Sequence, residues 1–144
     1  MKSSIDLKIA KALRDEEGYA VAIVKDENIL YKSKDKGILP LYLAFDSKED
    51  MKDASAADKI VGKGAAMFMA ELGITHLDTL IISKSALKYL QECDIVVSYS
   101  KLVEYIKNRT GDGKCPVETM ADASKDFDEL LDGVKQFLKR LELI

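Results

Sequence analysis

Cys115 ends a polar loop, Asn108-Arg109-Thr110-Gly111-Asp112-Gly113-Lys114-Cys115-Pro116-Val117-Glu118-Thr119, at the point where a helix is set to begin. Pro116 has the fixed φ that suits a first helical position, and Glu118 sits where a carboxylate can meet free N–H groups. A thiol at a helix start is drawn toward its thiolate, the nucleophilic form, while Glu118 one turn away opposes that by like charge. A cysteine nucleophile also wants a base, and the one histidine of the chain, His76, stands at the edge of a predicted strand. Two readings of Cys115 stay open: a structural or pocket-wall residue, or a nucleophile with Glu118 as acid–base group. Arg109 has the fork that grips an anion with two hydrogen bonds; its alternative is a surface ion pair worth little. The run 110–115 is not a phosphate-binding P-loop, which requires glycine where Asn108 stands and Ser or Thr where Cys115 stands.

A second polar stretch precedes an apolar run. Ser55-Ala56-Ala57-Asp58 matches a capping box, with the serine capping and Asp58 reaching back. It predicts a helix to about Leu72, closed by Gly73, burying Ile60, Val61, Met67, Phe68 and Leu72. Asp58 is then a capping partner or a carboxylate at a pocket mouth. Lys59 and Lys63, four apart, project from a similar helix face, as solvated lysines or as phosphate contacts. Gly62 and Gly64 inside that helix each cost roughly 1 kcal/mol against alanine, so something approaches the backbone there, the sheet or a ligand.

These residues need elements to position them. Ser3 or Ser4 caps a first helix whose stripe (Ile5, Leu7, Ile9, Ala10, Leu13) ends before Gly18. Residues 19–24 and 29–33 read as strands joined by a turn at 25–28, an antiparallel hairpin. Pro40 opens a short helix through Phe45, and 46–54 reads as polar surface. Residues 77–82 form a strand, Ser83 starts a helix through Cys93 with that cysteine in the core, and 95–99 form another strand. A short helix over 101–107 follows. Ser124 caps a last helix with a clean stripe of Phe127, Leu130, Leu131, Val134, Phe137, Leu138 and Leu141. A hairpin followed by alternating strands and helices implies a mixed sheet with helices on both faces, a three-layer α/β/α sandwich in one domain spanning 1–144.

The 144 residues suffice for one real core. Net charge is −3 with a pI near 5.3, which argues against general nucleic-acid binding. Two distant cysteines and one histidine offer neither a disulfide framework nor zinc spacing. No apolar run is long enough to span a membrane and the start carries no signal-peptide core, so the expectation is a reduced, cytoplasmic protein. An exposed edge strand or the short helix carrying Tyr42 offers a surface for a homodimer.

Several segments together resemble one family almost end to end: Val24-Lys25-Asp26 with Leu30-Tyr31, Gly37-Ile38 with Pro40-Leu41, Ala57-Asp58-Lys59-Ile60-Val61-Gly62-Lys63-Gly64-Ala65-Ala66, and Asn108-Arg109-x-Gly111-x-x-x-Cys115-Pro116-x-Glu118-Thr119. The chain resembles the domain of unknown function 1893 family, short prokaryotic proteins, and the resemblance implies a cytidine-deaminase-like fold with no established activity. Zinc deaminases place His or Cys and then Glu at the first of two helix starts and P-C-x-x-C at the second, where a metal-bound water attacks the base. Here the expected starts, Ala57-Asp58-Lys59 and Ile82-Ser83-Lys84-Ser85-Ala86, hold no such ligands. The resemblance therefore implies a pocket with neither metal nor other cofactor, onto which both helix starts converge. Asp58, Lys59, Gly62 and Lys63 line it, and Asn108, Arg109, Lys114 and Cys115 close over it. Free N–H groups with these cations suit a phosphorylated or nucleotide-like small molecule. A metal-independent enzyme using Cys115 or Glu118, and a non-catalytic interaction module with a vestigial site, remain the other readings.

Overall fold

The computed structural model describes residues 2–144. Helix α1 (Lys2–Glu17) ends at Gly18 and leads into a hairpin of β1 (Val21–Lys25) and β2 (Asn28–Ser33). Asp26 and Glu27 at its turn both take positive φ, 50° and 66°, the conformation whose twist matches the flanking strands. Neither is glycine, so the turn needs support. Asp6 of α1 supplies it by accepting both turn N–H groups, at 2.9 and 2.8 Å.

Helix α2 (Leu39–Asp46) is entered through Pro40. Then come β3 (Ser55–Val61), α3 (Lys63–Leu72), β4 (His76–Ser83), α4 (Lys84–Glu92), β5 (Val96–Val103), α5 (Pro116–Ala123) and α6 (Phe127–Arg140). The sheet order is β2-β1-β3-β4-β5; β1 runs antiparallel to both neighbours and β3, β4 and β5 are parallel. The parallel pairs require crossovers, which α3 and α4 provide. The architecture is a mixed α/β fold with an open five-stranded sheet and six helices.

Successive strand residues face opposite ways, and the core divides accordingly. Val21, Ile23, Ala56 and Leu77 join the large cluster built with α2 through α6, whereas Ala22, Val24 and Ala57 pack on Ala10 and Leu13 of α1. Phe45, Phe68 and Phe127 tie α2, α3 and α6 by edge-on ring contacts at 5.0 to 6.0 Å. On the α1 side, buried Arg14 donates to Asp78 Oδ1 (2.8 Å) and to the backbone oxygens of Asp58 and Asp78 (both 3.1 Å), joining α1 to β3 and β4. Among the described residues the outer edge of β5 has no neighbouring strand, and Val96, Tyr99 and Leu102 of this strand are exposed.

Several sequence expectations need correction. The predicted helix over 55–72 is a strand followed by a helix that begins only at Lys63. Residues 55–58 are buried between β1 and β4, and a strand covered on both faces shows no alternation to betray it. Ser55 therefore caps nothing, and Asp58 is no capping partner; Gly62 is the N-cap of α3. Lys59 and Lys63 share no helix face, and Ile60 is 50% exposed rather than core. The predicted helix over 101–107 is absent because β5 continues alongside β4 to Val103. Asp126 caps α6, its side chain accepting from Glu129 N–H at 2.9 Å, while Ser124 ends α5. Cys93 is exposed at the end of α4, and Met51 and Ala54, expected at the surface, are buried. The hairpin, α2, the start of α4 at Ser83 and the turn into α5 fall where the sequence places them. Helix α1 occupies the expected stretch but begins at Lys2, so Ser3 and Ser4 lie within it instead of capping it, and Ile5 of its stripe is exposed. The α6 stripe holds except for Leu141, which lies past the helix end and is exposed.

At Gly64 helix α3 meets α5 at close quarters. A Cβ there would stand 2.5 Å from Val117 Cγ1 and 3.4 Å from Val117 O, so α3 touches α5 through a bare backbone. Gly64→Ala is therefore expected to destabilise the fold by about 1–2 kcal/mol despite alanine's better helix propensity. Chemical denaturation should show a lower midpoint at unchanged m; an equal or higher midpoint would show that Val117 moves aside freely.

Candidate functional site

A cleft of about 800 Å³ opens where β3 ends at Gly62 and where the chain leaves β5. The segment 35–41, the loop 106–110, the start of α5 and the tail beyond α6 complete its walls. Asp58, Lys59, Gly62, Asn108, Arg109, Cys115 and Glu118 all border it, so segments some fifty positions apart meet in one hollow. Lys63, expected among them, does not border it: its N–H goes to Glu118 and its ammonium turns to Asp122 at 4.0 Å. Lys114, expected to close over the pocket, also pairs with Asp122. A smaller hollow of about 480 Å³ beside α2 and the end of α3 contains none of these residues.

Glu118 organises the cleft's inner end. It is 1% exposed, and its carboxylate accepts from Lys63 N–H (2.9 Å), Ser83 Oγ–H (2.5 Å) and Ile106 N–H (2.6 Å). One side chain of α5 thus caps the start of α3, holds the N-cap serine of α4 and fixes the chain after β5. A helix start left without such a partner would carry unsatisfied donors. Gly62 is bare for the same reason: a Cβ there would lie 3.0 Å from Glu118 Oε2 and 3.1 Å from Ile106 Cγ1. The glycines at 62 and 64 thus admit a carboxylate and a neighbouring helix. Sequence reasoning placed Glu118 at its own helix start and missed these contacts, because they join residues up to 55 positions apart.

Asp58 lies further along β3 and is 9% exposed. Its Oδ1 accepts from Ile60 N–H at 3.2 Å; among the described residues no donor reaches Oδ2. Burial pushes its pKa up to about 7, against the pull of the Ile60 and Lys59 backbone N–H groups and of the Arg14 charge. Arg14 touches only the backbone oxygen of Asp58.

The loop before α5 is held by its own side chains. Thr110 Oγ1 donates to Asp112 Oδ1 (2.5 Å) and lies 3.1 Å from Asn108 Oδ1, and Asn108 Nδ2 donates to Asp112 Oδ1 (3.1 Å). These hydroxyl and amide donors hold the Asp112 carboxyl below its usual range. Arg109 at the loop's tip is exposed and has no ion-pair or hydrogen-bond partner among the described residues. Cys115 is partly buried at the N-cap of α5, with its N–H donating to Ile106 O at 2.8 Å. His76 begins β4, at the opposite end of the sheet, with Nδ1 3.0 Å from Thr75 Oγ1. Among the described residues no three His, Cys, Asp or Glu side chains stand together as a metal site, and no helix is long and apolar enough to cross a membrane.

The family model of domain of unknown function 1893 (DUF1893) matches residues 8–138. The chain belongs to the DUF1893 family. The crystal structure of a DUF1893 family protein from Thermotoga maritima superposes with a TM-score of 0.81 at 25% identity, over 92% of this chain and 89% of that one. A search of curated proteins gives no significant match.

Two substitutions test this DUF1893 site as built. Glu118→Gln keeps the shape but sets an NH₂ group against the donors, and is expected to cost about 2–4 kcal/mol of stability. A denaturation midpoint equal to that of the parent would show that the three segments are held by other contacts. Asp58→Asn should do the opposite, with a pH dependence. A carboxyl whose folded pKa stands above its unfolded value opposes folding once ionised. That penalty is absent below about pH 4, grows as pH rises toward 7 and is complete above it. Asp58→Asn is therefore expected to stabilise the fold at pH 8 by up to about 4 kcal/mol and to change little at pH 4. A stability difference that stays constant between those pH values would contradict the environment described for Asp58.

Proposed function

We propose that the cleft binds a phosphorylated, nucleotide-like small molecule. The observation that carries this reading is the start of α3. The N–H groups of Gly64 and Ala65 have no hydrogen-bond partner among the described residues, and both residues border the cleft. Free first-turn donors and the helix dipole favour an anion. Lys36, Lys59, Lys107 and Arg109 border the same cleft against three carboxyls, Asp35, Asp58 and Glu118. Ligands of open α/β sheets also sit beyond the carboxyl ends of the strands, which is where this hollow lies.

The deaminase-like part of the reading is supported by the strand order, with β1 antiparallel inside a sheet whose last three strands are parallel. The two helix starts that would carry zinc ligands read Lys63-Gly64-Ala65 and Lys84-Ser85-Ala86, and the Glu118 carboxylate lies between Lys63 N and Ser83 Oγ. Zinc chemistry has no ligand set there. With no imidazole near Cys115, the reading is of binding, with Arg109 as the exposed clamp.

Thermal shift and calorimetry with nucleoside monophosphates, sugar phosphates and inorganic phosphate at fixed salt test it. At a hundredfold excess over Kd a true ligand adds about 2.7 kcal/mol of apparent stability. Arg109→Ala should leave the unliganded melting temperature unchanged and weaken binding about tenfold or more. No shift with any phosphorylated compound at millimolar concentration would remove this reading.

A further inference from the structure

Four carboxyls are buried among the described residues: Asp6, Asp58, Asp78 and Glu118. Three have both oxygens engaged. Asp6 takes the two hairpin N–H groups, Asp78 takes Arg14 and Ser98, and Glu118 takes its three donors. Asp58 alone leaves one oxygen without a donor. Among the described residues no fully buried side-chain oxygen lacks a partner, so this oxygen opens to solvent, and a donor group of a ligand in the cleft can take the place of water there.

The free oxygen belongs to the cleft. Asp58 sits opposite Val21 of β1, directly opposed strand residues share a face, and Val21 packs on the side of the sheet that carries α2 through α6. Asp58 borders the cleft on that side, and the same cleft is lined by Ile60, Leu141 and Leu143, which are 50%, 51% and 48% exposed. An apolar wall beside an acceptor-only group fits a flat heterocycle that lays its face on the wall and turns N–H groups to the carboxylate. From Asp58 to Val61 the strand advances about 10 Å, which separates this spot from the N–H groups of Gly64 and Ala65. A molecule with a phosphate at one end and a base at the other spans the two.

Resting on the reading of the cleft as a nucleotide site, we propose that Asp58 reads the base. Its carboxylate accepts hydrogen bonds from two adjacent N–H donors, the pattern on the pairing edge of guanine, so the site prefers guanine over adenine nucleotides. Adenine presents a ring-nitrogen acceptor beside its amino group and would set that acceptor against the carboxylate. The other charged groups nearby are already directed elsewhere or belong to the anion end. Arg14 of α1 is paired with Asp78 of β4, Lys59 of β3 leans on Gly18 O, and Glu118 of α5 is fully bonded. Asp35 and Lys36 stand on the rim before α2, with Lys107 and Arg109 on the rim after β5. The raised pKa of Asp58 adds a sign: a donor pair stabilises the ionised form, so guanine binding releases a proton near neutrality and strengthens as pH rises through about 7.

Calorimetry of the whole chain with GMP, IMP and AMP tests it. At pH 8 GMP should bind at least tenfold more tightly than AMP, with IMP, which has lost the amino donor, between them. Because the phosphate is common to all three, the GMP-to-AMP ratio should shrink several-fold at pH 6. Asp58→Asn should weaken GMP about tenfold or more and leave AMP within about threefold, since each tenfold is one broken discrimination of about 1.4 kcal/mol. Equal affinities for the three nucleotides, or an unchanged GMP affinity in Asp58→Asn, would overturn the proposal. If inorganic phosphate or sugar phosphates bind and no nucleotide does, base reading falls and the anion site stands. If nothing phosphorylated binds, both fall together.

Discussion

The carboxylate of Glu118 meets donors from the start of α3, the N-cap of α4 and the chain that leaves β5, and it is carried by α5. Sheet pairing and the packing of α3 on α5 bring these segments near one another, and this carboxylate fixes how their ends meet. A buried carboxylate, once desolvated, is stable only where donors converge on it, so its presence dictates where each segment ends. Gly62 and Gly64 serve the same junction: one makes room for the carboxylate and Ile106, the other for Val117, the residue before Glu118 in the first turn of α5. The cleft is the space left in front of this junction, and its walls are the segments the junction holds.

The chain handles its buried acids in two ways. Asp6 supports a hairpin turn that lacks glycine, and Asp78 fixes Arg14 beneath the sheet while accepting from Ser98 of β5 at 2.6 Å. Together with Glu118 these make the fold unique by satisfying specific donors. Asp58 does not contribute in that sense. It sits in β3 with an open oxygen, and burial raises its pKa, so its ionised form works against the fold. Groups that weaken a fold while facing a cleft are characteristic of sites shaped for a ligand rather than for stability.

Much of the architecture could be read from one chain. The apolar stripe of α6, the Pro40 entry to α2, the Ser83 cap and the Pro116 start are local signals, each resting on contacts within a few residues. The failure at 55–62 has an equally physical origin. Ser55-Ala56-Ala57-Asp58 has the residue types of a helix start, and alanine favours helix in isolation. Between β1 and β4 those small residues instead let a central strand be covered on both faces, with α1 close on one side. Tertiary pairing overrode local preference, and with it fell the argument that placed Lys59 and Lys63 on one helix face.

Residue types and spacing were enough to assign a mixed α/β fold, to mark the stretches 57–66 and 108–119 as distinctive, and to set aside a P-loop. Those conclusions depend on which groups are present and on local backbone chemistry. Which carboxylate binds the molecule together and which stands open was decided only by the folded chain. Glu118 and Asp58 are each one acid in a polar stretch, and they differ solely in how many N–H and O–H groups from distant segments reach them. Long-range hydrogen bonding has no sequence period and no fixed spacing, so it becomes visible only once the strands and helices have been brought together.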